Sequence, residues 1–271
     1  MPRLTPARTA VGSLVALVLL VAAAYWRTDA PLTGPAGRPL VVYCAASARP
    51  AAEAAARDFE AETGRRVEFR FGASEDLLHK AGLLNPADPA DLFLPADDGY
   101  IRAAREKGIA AESFPIAEMR CVLLTAPGNP KGVARWADLP RPGVRVAVPS
   151  PAAAVGRLAR DHLAAAGLWD ELRPRVVDTG TVTEAANAAK LGSADAAVVW
   201  DAVAAAYPGQ AVLALPELAA VTARVDVAIL THSPDAAAAR RFARYLSDPD
   251  RGLVRFREAG FRVAGAAGGG P

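Results

Sequence analysis

Two serines stand where an apolar run gives way to a helical pattern, and each could help to bind an anion. Ser47 closes the stretch Tyr-Cys-Ala-Ala-Ser, and Ser74 closes the stretch Phe-Gly-Ala-Ser. At a strand-to-helix junction the first N–H groups of the helix have no partner within it, and the helix dipole favours negative charge. Two such junctions therefore predict a site that holds a small oxyanion through neutral donors and does no chemistry on it.

Other roles for these serines remain open on the sequence alone. Either one could be an ordinary helix cap, because serine is common at helix N-termini. Either could also be a nucleophile, but a nucleophilic serine needs a base within hydrogen-bonding reach. His79, a little over one helical turn past Ser74, is the nearest histidine along the chain, and there is no Gly-x-Ser-x-Gly elbow. We therefore expect no enzymatic activity, no catalytic residues and no cofactor.

The composition excludes several classes of protein. The chain has 271 residues, of which 52% are hydrophobic, so it is neither disordered nor too short for a large core. Its formal net charge is +2 and it has no long basic run, which argues against a nucleic-acid partner. No metal-ligand spacing is present. Cys44 and Cys121 fall in predicted strands, where they could form a disulfide or remain two separate buried thiols.

The beginning of the chain has the pattern of an export segment. Two arginines precede an apolar run at 10–26, which predicts a signal peptide or a single membrane anchor at 1–27. Positive charge before this run would place everything after it outside the cytoplasmic membrane. Residues 28–39 carry several prolines and predict a linker, and the glycine-rich residues 264–271 predict a disordered tail. We expect a periplasmic or extracytoplasmic protein, either released or anchored by residues 10–26.

The remaining residues alternate between strand and helix patterns. The predicted strands are 40–43, 67–71, 91–94, 121–125, 145–148, 175–177, 196–200, 212–215 and 221–230. The predicted helices are 51–63, 74–80, 98–106, 155–166, 182–191, 234–246 and 251–258. Repeated strand–helix units indicate mostly parallel sheets that are covered by helices on both faces.

These elements predict an α/β fold with two lobes. The runs 121–125 and 221–230 would be two crossing strands that join two mostly parallel sheets, and the C-terminal helices would return to the first lobe. Lobe one would comprise 40–122 plus 226–263, and lobe two 123–225. Because ligands favour the carboxyl ends of parallel strands, the serine junctions would lie in a cleft between the lobes.

Four motifs, taken in order, resemble those of the periplasmic molybdate-binding proteins of ABC importers. They are Tyr-Cys-Ala-Ala-Ser at 43–47, Phe-Gly-Ala-Ser at 71–74, Pro-Ala-Asp-Leu-Phe-Leu-Pro-Ala-Asp at 89–97, and Gly-Phe at 260–261. The resemblance extends from about residue 40 to residue 263. It implies a two-lobed periplasmic-binding-protein fold that closes on molybdate or tungstate and docks, as a monomer, on an ABC permease in the cytoplasmic membrane.

The resemblance also implies which residues would contact the ion, with the metal present only inside the oxyanion. The donors would be Ser47, Ser74, Val155, Val182 and Trp200. Ala154 is an alternative to Val155, because the loop before it is one residue shorter than the usual pattern. Trp200 stands where many members have a tyrosine that donates to the ion, so its indole N–H could donate instead, or its ring could simply pack. Asp201 would cap the following helix. Sulfate or phosphate binding, or a membrane-tethered sensor domain, are the alternatives.

Overall fold

The structure, a computed structural model, describes residues 38–83 and 89–263. The predicted leader at 1–27 and the predicted tail at 264–271 lie outside the described residues, as does nearly all of the predicted linker. Within the described ranges, no helix combines the length and the apolar character that crossing a membrane requires.

The described strands form one mixed sheet of nine strands. They are β1 Leu40–Ala45, β2 Val67–Gly72, β3 Leu92–Leu94, β4 Ala110–Thr125, β5 Val146–Pro149, β6 Val176–Thr179, β7 Ala196–Trp200, β8 Val212–Leu213 and β9 Thr222–Leu230. Their order across the sheet is β2-β1-β3-β9-β4-β7-β5-β6, and β8 pairs with β4. The strands therefore follow the predicted order along the chain, and their bounds differ by a few residues except at β4.

Helices flank this sheet, and seven of those described lie at nearly the predicted positions, whereas the short helices at 169–172 and 201–204 were not among the predicted ones. The described helices are α1 Arg49–Thr63, α2 Ser74–Gly82, α3 Asp98–Glu106, α4 Ala154–Ala165, α5 Trp169–Leu172, α6 Val182–Lys190, α7 Asp201–Ala204, α8 Ala236–Leu246 and α9 Gly252–Glu258. A short 3₁₀ turn, Ala46–Ala48, leads from β1 into α1. The helix α1 ends where predicted, because Gly64 adopts the left-handed backbone conformation, with φ of 70°, that stops a helix.

The strand β4 divides the sheet into two parts. Residues 110–120 pair antiparallel with β9, and residues 121–125 pair antiparallel with β7 and β8. We call β2, β1, β3, β9 and the first part of β4, with their helices, lobe one, and the rest of the sheet with its helices lobe two. Parallel pairs lie in each lobe, β2 and β3 beside β1, and β6 and β7 beside β5. Two strands thus connect the lobes, as predicted, and the predicted residue boundaries of the lobes stay a prediction.

The start of β4 was predicted wrongly, because the strand begins at Ala110 and not at Cys121. Pro115 lies in its first part and has no N–H to donate to a ladder, so the sequence pattern there does not resemble a strand. The pairing with β9 shifts its register beside this proline, between Pro115 and Ala117. Only the distant partner strand makes this segment extended.

The C-terminal helices pack back on lobe one, as predicted. Phe242 of α8 contacts Phe59 of α1, with the ring centroids 4.9 Å apart. Asp235 caps α8 by accepting from the Ala238 N–H and also forms a buried ion pair with Arg65, with 2.9 Å between nitrogen and oxygen. The end of the chain therefore packs on α1, the helix that follows Ser47, and on β4 and β9.

Candidate functional site

One small cavity lies where strand ends and helix N-termini of both lobes meet. Its described lining is Ala45, Ala46, Ser47, Gly72, Ala73, Ser74, Ala96, Ala153, Ala154, Val155, Thr181, Val182 and Trp200. The five predicted site residues are all among them. The volume is about 10 Å³, which is close to the least that holds one water molecule. Tertiary packing thus brings together residues that are more than 150 positions apart in sequence.

Ser47 presents an unpaired donor to this cavity. It lies inside the 3₁₀ turn, and no side-chain hydrogen bond caps that turn. The residue is 5% exposed, and its Oγ is buried without a hydrogen-bond partner among the described residues. A buried hydroxyl with no partner costs free energy. The helix-cap interpretation of Ser47 is therefore wrong, and an anion in the cavity would supply the missing acceptor.

Ser74 is held in place by lobe one and also is not a cap. It is the first residue of α2, and Ala73 occupies the cap position without a side-chain bond. The Ser74 Oγ accepts from the backbone N–H of Ala96 at 3.1 Å. A hydroxyl both accepts and donates, so its proton remains available to a guest. Ala96 was not predicted as a site residue, although it belongs to the motif at 89–97 that carried the family resemblance.

The lobe-two side of the cavity is made of helix N-termini. Ala154 and Val155 begin α4, where no side-chain hydrogen bond caps the helix, and Val182 begins α6. The first N–H groups of a helix have no partner within it, so these residues offer backbone donors. Ala154 and Val155 both line the cavity, and the sequence left the choice between them open. Thr181 caps α6 by accepting from the N–H of Glu184 at 3.2 Å.

A glycine sets the position of the α4 N-terminus. A Cβ atom at Gly156 would collide with the carbonyl oxygens of Pro149 and Ser150. Only glycine therefore lets the first turn of α4 pack so closely on the end of β5, and this close packing directs Ala154 and Val155 at the cavity.

Trp200 ends β7 and is 1% exposed, with the cavity on one side. The neighbouring carboxylate points elsewhere. Asp201 accepts from the Arg120 N–H at 3.0 Å and from Arg262 Nε at 2.9 Å, and it also accepts from the Ala202 N–H at the start of α7. As predicted, Asp201 does not serve the cavity, but the prediction that it caps the following helix is wrong, because Asp201 is the first residue of α7 and Trp200 occupies the cap position without a side-chain bond.

The described lining of the cavity is uncharged. None of its described lining residues carries a charged side chain. Three acidic residues, Glu75, Asp97 and Asp201, each directly follow a lining residue along the chain. Of these, Asp97 caps α3 by accepting from the Gly99 N–H at 3.0 Å. Burial raises the pKa of the Asp97 carboxyl, and the guanidinium of Arg157 opposes that shift.

Neither serine has the environment of a nucleophile. The Ser47 hydroxyl has no partner in the described part of the chain, and the Ser74 hydroxyl contacts a backbone N–H rather than a base. His79 lines a different cavity. The two cysteines, which could have been paired, are separate buried thiols, and burial raises the pKa of both Cys44 and Cys121.

The family model described as bacterial extracellular solute-binding protein matches residues 40–262. The chain belongs to this family, and the family resemblance identified in the motifs is confirmed.

Individual relatives agree with this assignment. Molybdate-binding protein ModA of Mycobacterium bovis is 32% identical over 238 residues, which cover 84% of this chain and 88% of that protein. Among solved structures, the periplasmic molybdate-binding protein of Azotobacter vinelandii matches with a TM-score of 0.72 and 23% identity, covering 83% of this chain and 99% of that one. The sulfate-binding protein SubI of Mycobacterium tuberculosis matches with a TM-score of 0.72 and 20% identity, covering 84% and 88%. These two likenesses confirm the two-lobed α/β fold.

Proposed function

We propose that this protein captures a fully deprotonated tetrahedral oxyanion, molybdate or tungstate, for an ABC importer. The observation that carries this proposal is the buried, unpaired hydroxyl of Ser47 in a cavity that is otherwise built from helix N-termini. Such a group is a cost to the empty protein and a contact for an anion. The similarity to ModA over most of the chain supports molybdate as the first candidate.

The donor set favours one protonation state of the guest. Backbone N–H groups and an indole N–H only donate, and the Ser74 oxygen already accepts from Ala96. A guest that presents only acceptors satisfies these donors. Phosphate keeps a proton at neutral pH, and its P–O–H group would need an acceptor. Among the described lining side chains, the Ser47 hydroxyl is the one oxygen that does not already accept a hydrogen bond. The site therefore disfavours phosphate relative to molybdate, tungstate or sulfate.

Sulfate is the second candidate, supported by the likeness to the sulfate-binding protein SubI. Sulfate and molybdate carry the same charge and shape and differ in size. Discrimination between them therefore depends on the spacing of the donors across the cavity. Trp200 is the largest side chain in the lining and would control that spacing.

Capture would involve closure of the two lobes, with 40–122 plus 226–263 moving against 123–225 about the two connecting strands. Donors from both lobes contact the guest only when the cleft is closed, so the guest would shift the equilibrium toward the closed form. The closed form would dock on a permease from the outer side of the cytoplasmic membrane, as a monomer. The export pattern at 1–27 supports that location.

Calorimetric titration of the full chain with molybdate, tungstate, sulfate and phosphate tests the proposal. We expect a dissociation constant below about 1 µM for molybdate or tungstate, and phosphate to bind at least about a hundredfold more weakly. Binding of none of the four anions tighter than about 1 mM would overturn the proposal. Tight binding of sulfate alone would replace the first candidate by the second.

A further inference from the structure

An arginine of lobe two reaches lobe one beside the cavity. Arg157 lies in the first turn of α4, and its Nη2 is 3.2 Å from Asp97 Oδ1 in lobe one. Its Nε donates to the Tyr100 hydroxyl at 3.4 Å, and its guanidinium carbon lies 5.3 Å from the centre of the Tyr100 ring. We propose that Arg157 is a positioning residue that latches the closed lobes and slows release of the bound ion. This inference rests on the proposed function.

The pair joins the lobes rather than two parts of one lobe. Asp97 and Tyr100 belong to the start of α3, which packs on β4 and β9, whereas α4 packs on β5 and β7. A backbone contact runs beside the pair, since the Glu75 N–H of α2 donates to the carbonyl of Ala152 at 3.1 Å. The two lobes are therefore in direct contact along this side of the cavity.

Both partners are tied to residues that line the cavity. Ala96, whose N–H holds the Ser74 hydroxyl, directly precedes Asp97. Val155 lies two residues before Arg157 on the same helix. The Arg157–Asp97 distance therefore depends on how closely the donors of the two lobes approach each other. A guest that draws the lobes together would favour the ion pair, and the ion pair in turn would hold the guest.

The pair is screened by solvent less than an exposed pair would be. The side chain of Asp97 is 10% exposed and that of Arg157 is 36% exposed. Opening the cleft would leave the carboxylate without its cation, although Asp97 would still accept from Gly99 in its own helix. A charge-assisted bond plus a contact with an aromatic face resists opening more than either alone. The effect of losing it should appear in the dissociation rate, because it acts after the guest has been enclosed.

The test is the rate of molybdate release from the full chain, measured by stopped-flow tryptophan fluorescence, because Trp200 lines the cavity. The variants are Arg157→Gln, which keeps the aliphatic stem, Arg157→Lys, which keeps the charge, and Asp97→Asn, which keeps a helix cap. We expect Arg157→Gln and Asp97→Asn to release molybdate about 3- to 30-fold faster, and Arg157→Lys to be intermediate. The preference for molybdate over sulfate should not change.

The matched control is Arg160→Gln on the same helix. Arg160 bonds to Asp178 Oδ1 at 2.6 Å and to the carbonyl of Pro149, all within lobe two. Its release rate should equal that of the unchanged protein. The double variant of Arg157 and Asp97 should release no faster than the faster single variant, because both changes break one interaction.

The outcomes separate the two proposals. If the unchanged protein binds molybdate but Arg157→Gln releases it at the same rate, the latch is overturned and the proposed function stands. The same conclusion follows if the increases in release rate caused by the Arg157 and Asp97 substitutions multiply in the double variant. If the unchanged protein binds none of the oxyanions, both are overturned. Faster release in both single variants, with no further gain in the double variant, supports the latch.

Discussion

Ser47 and Ser74 line the same cavity, yet their hydroxyls differ in their hydrogen bonding within the protein. The Ser74 hydroxyl accepts from the Ala96 N–H at 3.1 Å, whereas the Ser47 hydroxyl is buried without a partner in the described residues. Under the proposed function, Ser74 would contribute both to the fold and to binding, and Ser47 would contribute to binding alone. This difference separates the effects of two otherwise identical substitutions.

Ser47→Ala should weaken anion binding without weakening the fold. A hydrogen bond to a charged group is worth about 1.5–3 kcal/mol, which corresponds to about a tenfold to a hundredfold loss of affinity for molybdate. Because the hydroxyl is unpaired in the empty protein, its removal should leave the free energy of unfolding unchanged or raise it. Calorimetry and urea unfolding without ligand measure the two effects. Ser193→Ala, at an exposed position, is the control. Unchanged molybdate affinity in Ser47→Ala would contradict the assigned role.

Ser74→Ala should weaken both anion binding and the fold. The substitution removes one donor from the cavity and leaves the Ala96 N–H without its acceptor, which costs about 1–3 kcal/mol when the group stays buried. The midpoint of urea unfolding without ligand should therefore fall, in contrast to Ser47→Ala. Equal stability of the two alanine variants would show that the Ala96 contact is not maintained in solution.

Trp200→Tyr should change the selectivity of the cavity. A tyrosine ring is smaller and ends in a hydroxyl, so it would enlarge the space while keeping a donor. We expect the ratio of molybdate to sulfate affinity to rise by about tenfold, because the larger anion gains more from added room. Trp136→Tyr is the control, since Trp136 is equally buried and does not line the cavity. A ratio that changes equally in both variants would exclude a specific role for Trp200.

The buried Asp97 carboxyl predicts a pH-dependent difference in stability. Burial raises its pKa above the ordinary 3.8, so the folded protein holds this proton more tightly than the unfolded chain does. The contribution of the Asp97 carboxyl to the free energy of unfolding is then fully present below the pKa of the unfolded chain. It is lost as the pH rises through the pKa of the folded protein. The amide that replaces this carboxyl in Asp97→Asn does not titrate. The stability of the variant relative to the unchanged protein should therefore increase as the pH rises above about 4.

Urea unfolding across that pH range, without ligand, measures this difference. Asp98→Asn is the neighbouring control, because the Asp98 carboxylate bonds to Arg102 on the exposed face of the same helix. If the stability of Asp97→Asn relative to the unchanged protein falls as the pH rises, the folded protein stabilises the Asp97 carboxyl as an anion.

Local patterns in the sequence were sufficient to predict most elements. Together with the family resemblance they also predicted five of the residues that line the cavity. The apolar run before Ser47, the alternation before Ser74 and Gly64 at the end of α1 are each properties of a few consecutive residues, and such properties depend on backbone preference and on which face is buried. The motifs that resembled molybdate-binding proteins are also local, and Ser47 and Ser74 lie inside two of them. Val155, Val182 and Trp200 lie outside these motifs and were implied by the family resemblance alone, and they too line the cavity.

Tertiary structure decided what depends on distant partners. The first part of β4 is extended because it pairs with β9, which lies more than 100 residues further along the chain. Pro115 interrupts the sequence pattern by which a strand there could have been predicted. The Arg157–Asp97 contact spans 60 positions, and no spacing rule connects them. Whether a serine hydroxyl is satisfied, as at Ser74, or left open, as at Ser47, likewise depends on which backbone group packs against it. The sequence by itself determined which groups could bind an anion, and only packing determined which of them are free to do so, because a hydrogen bond depends on distances that the order of residues does not contain.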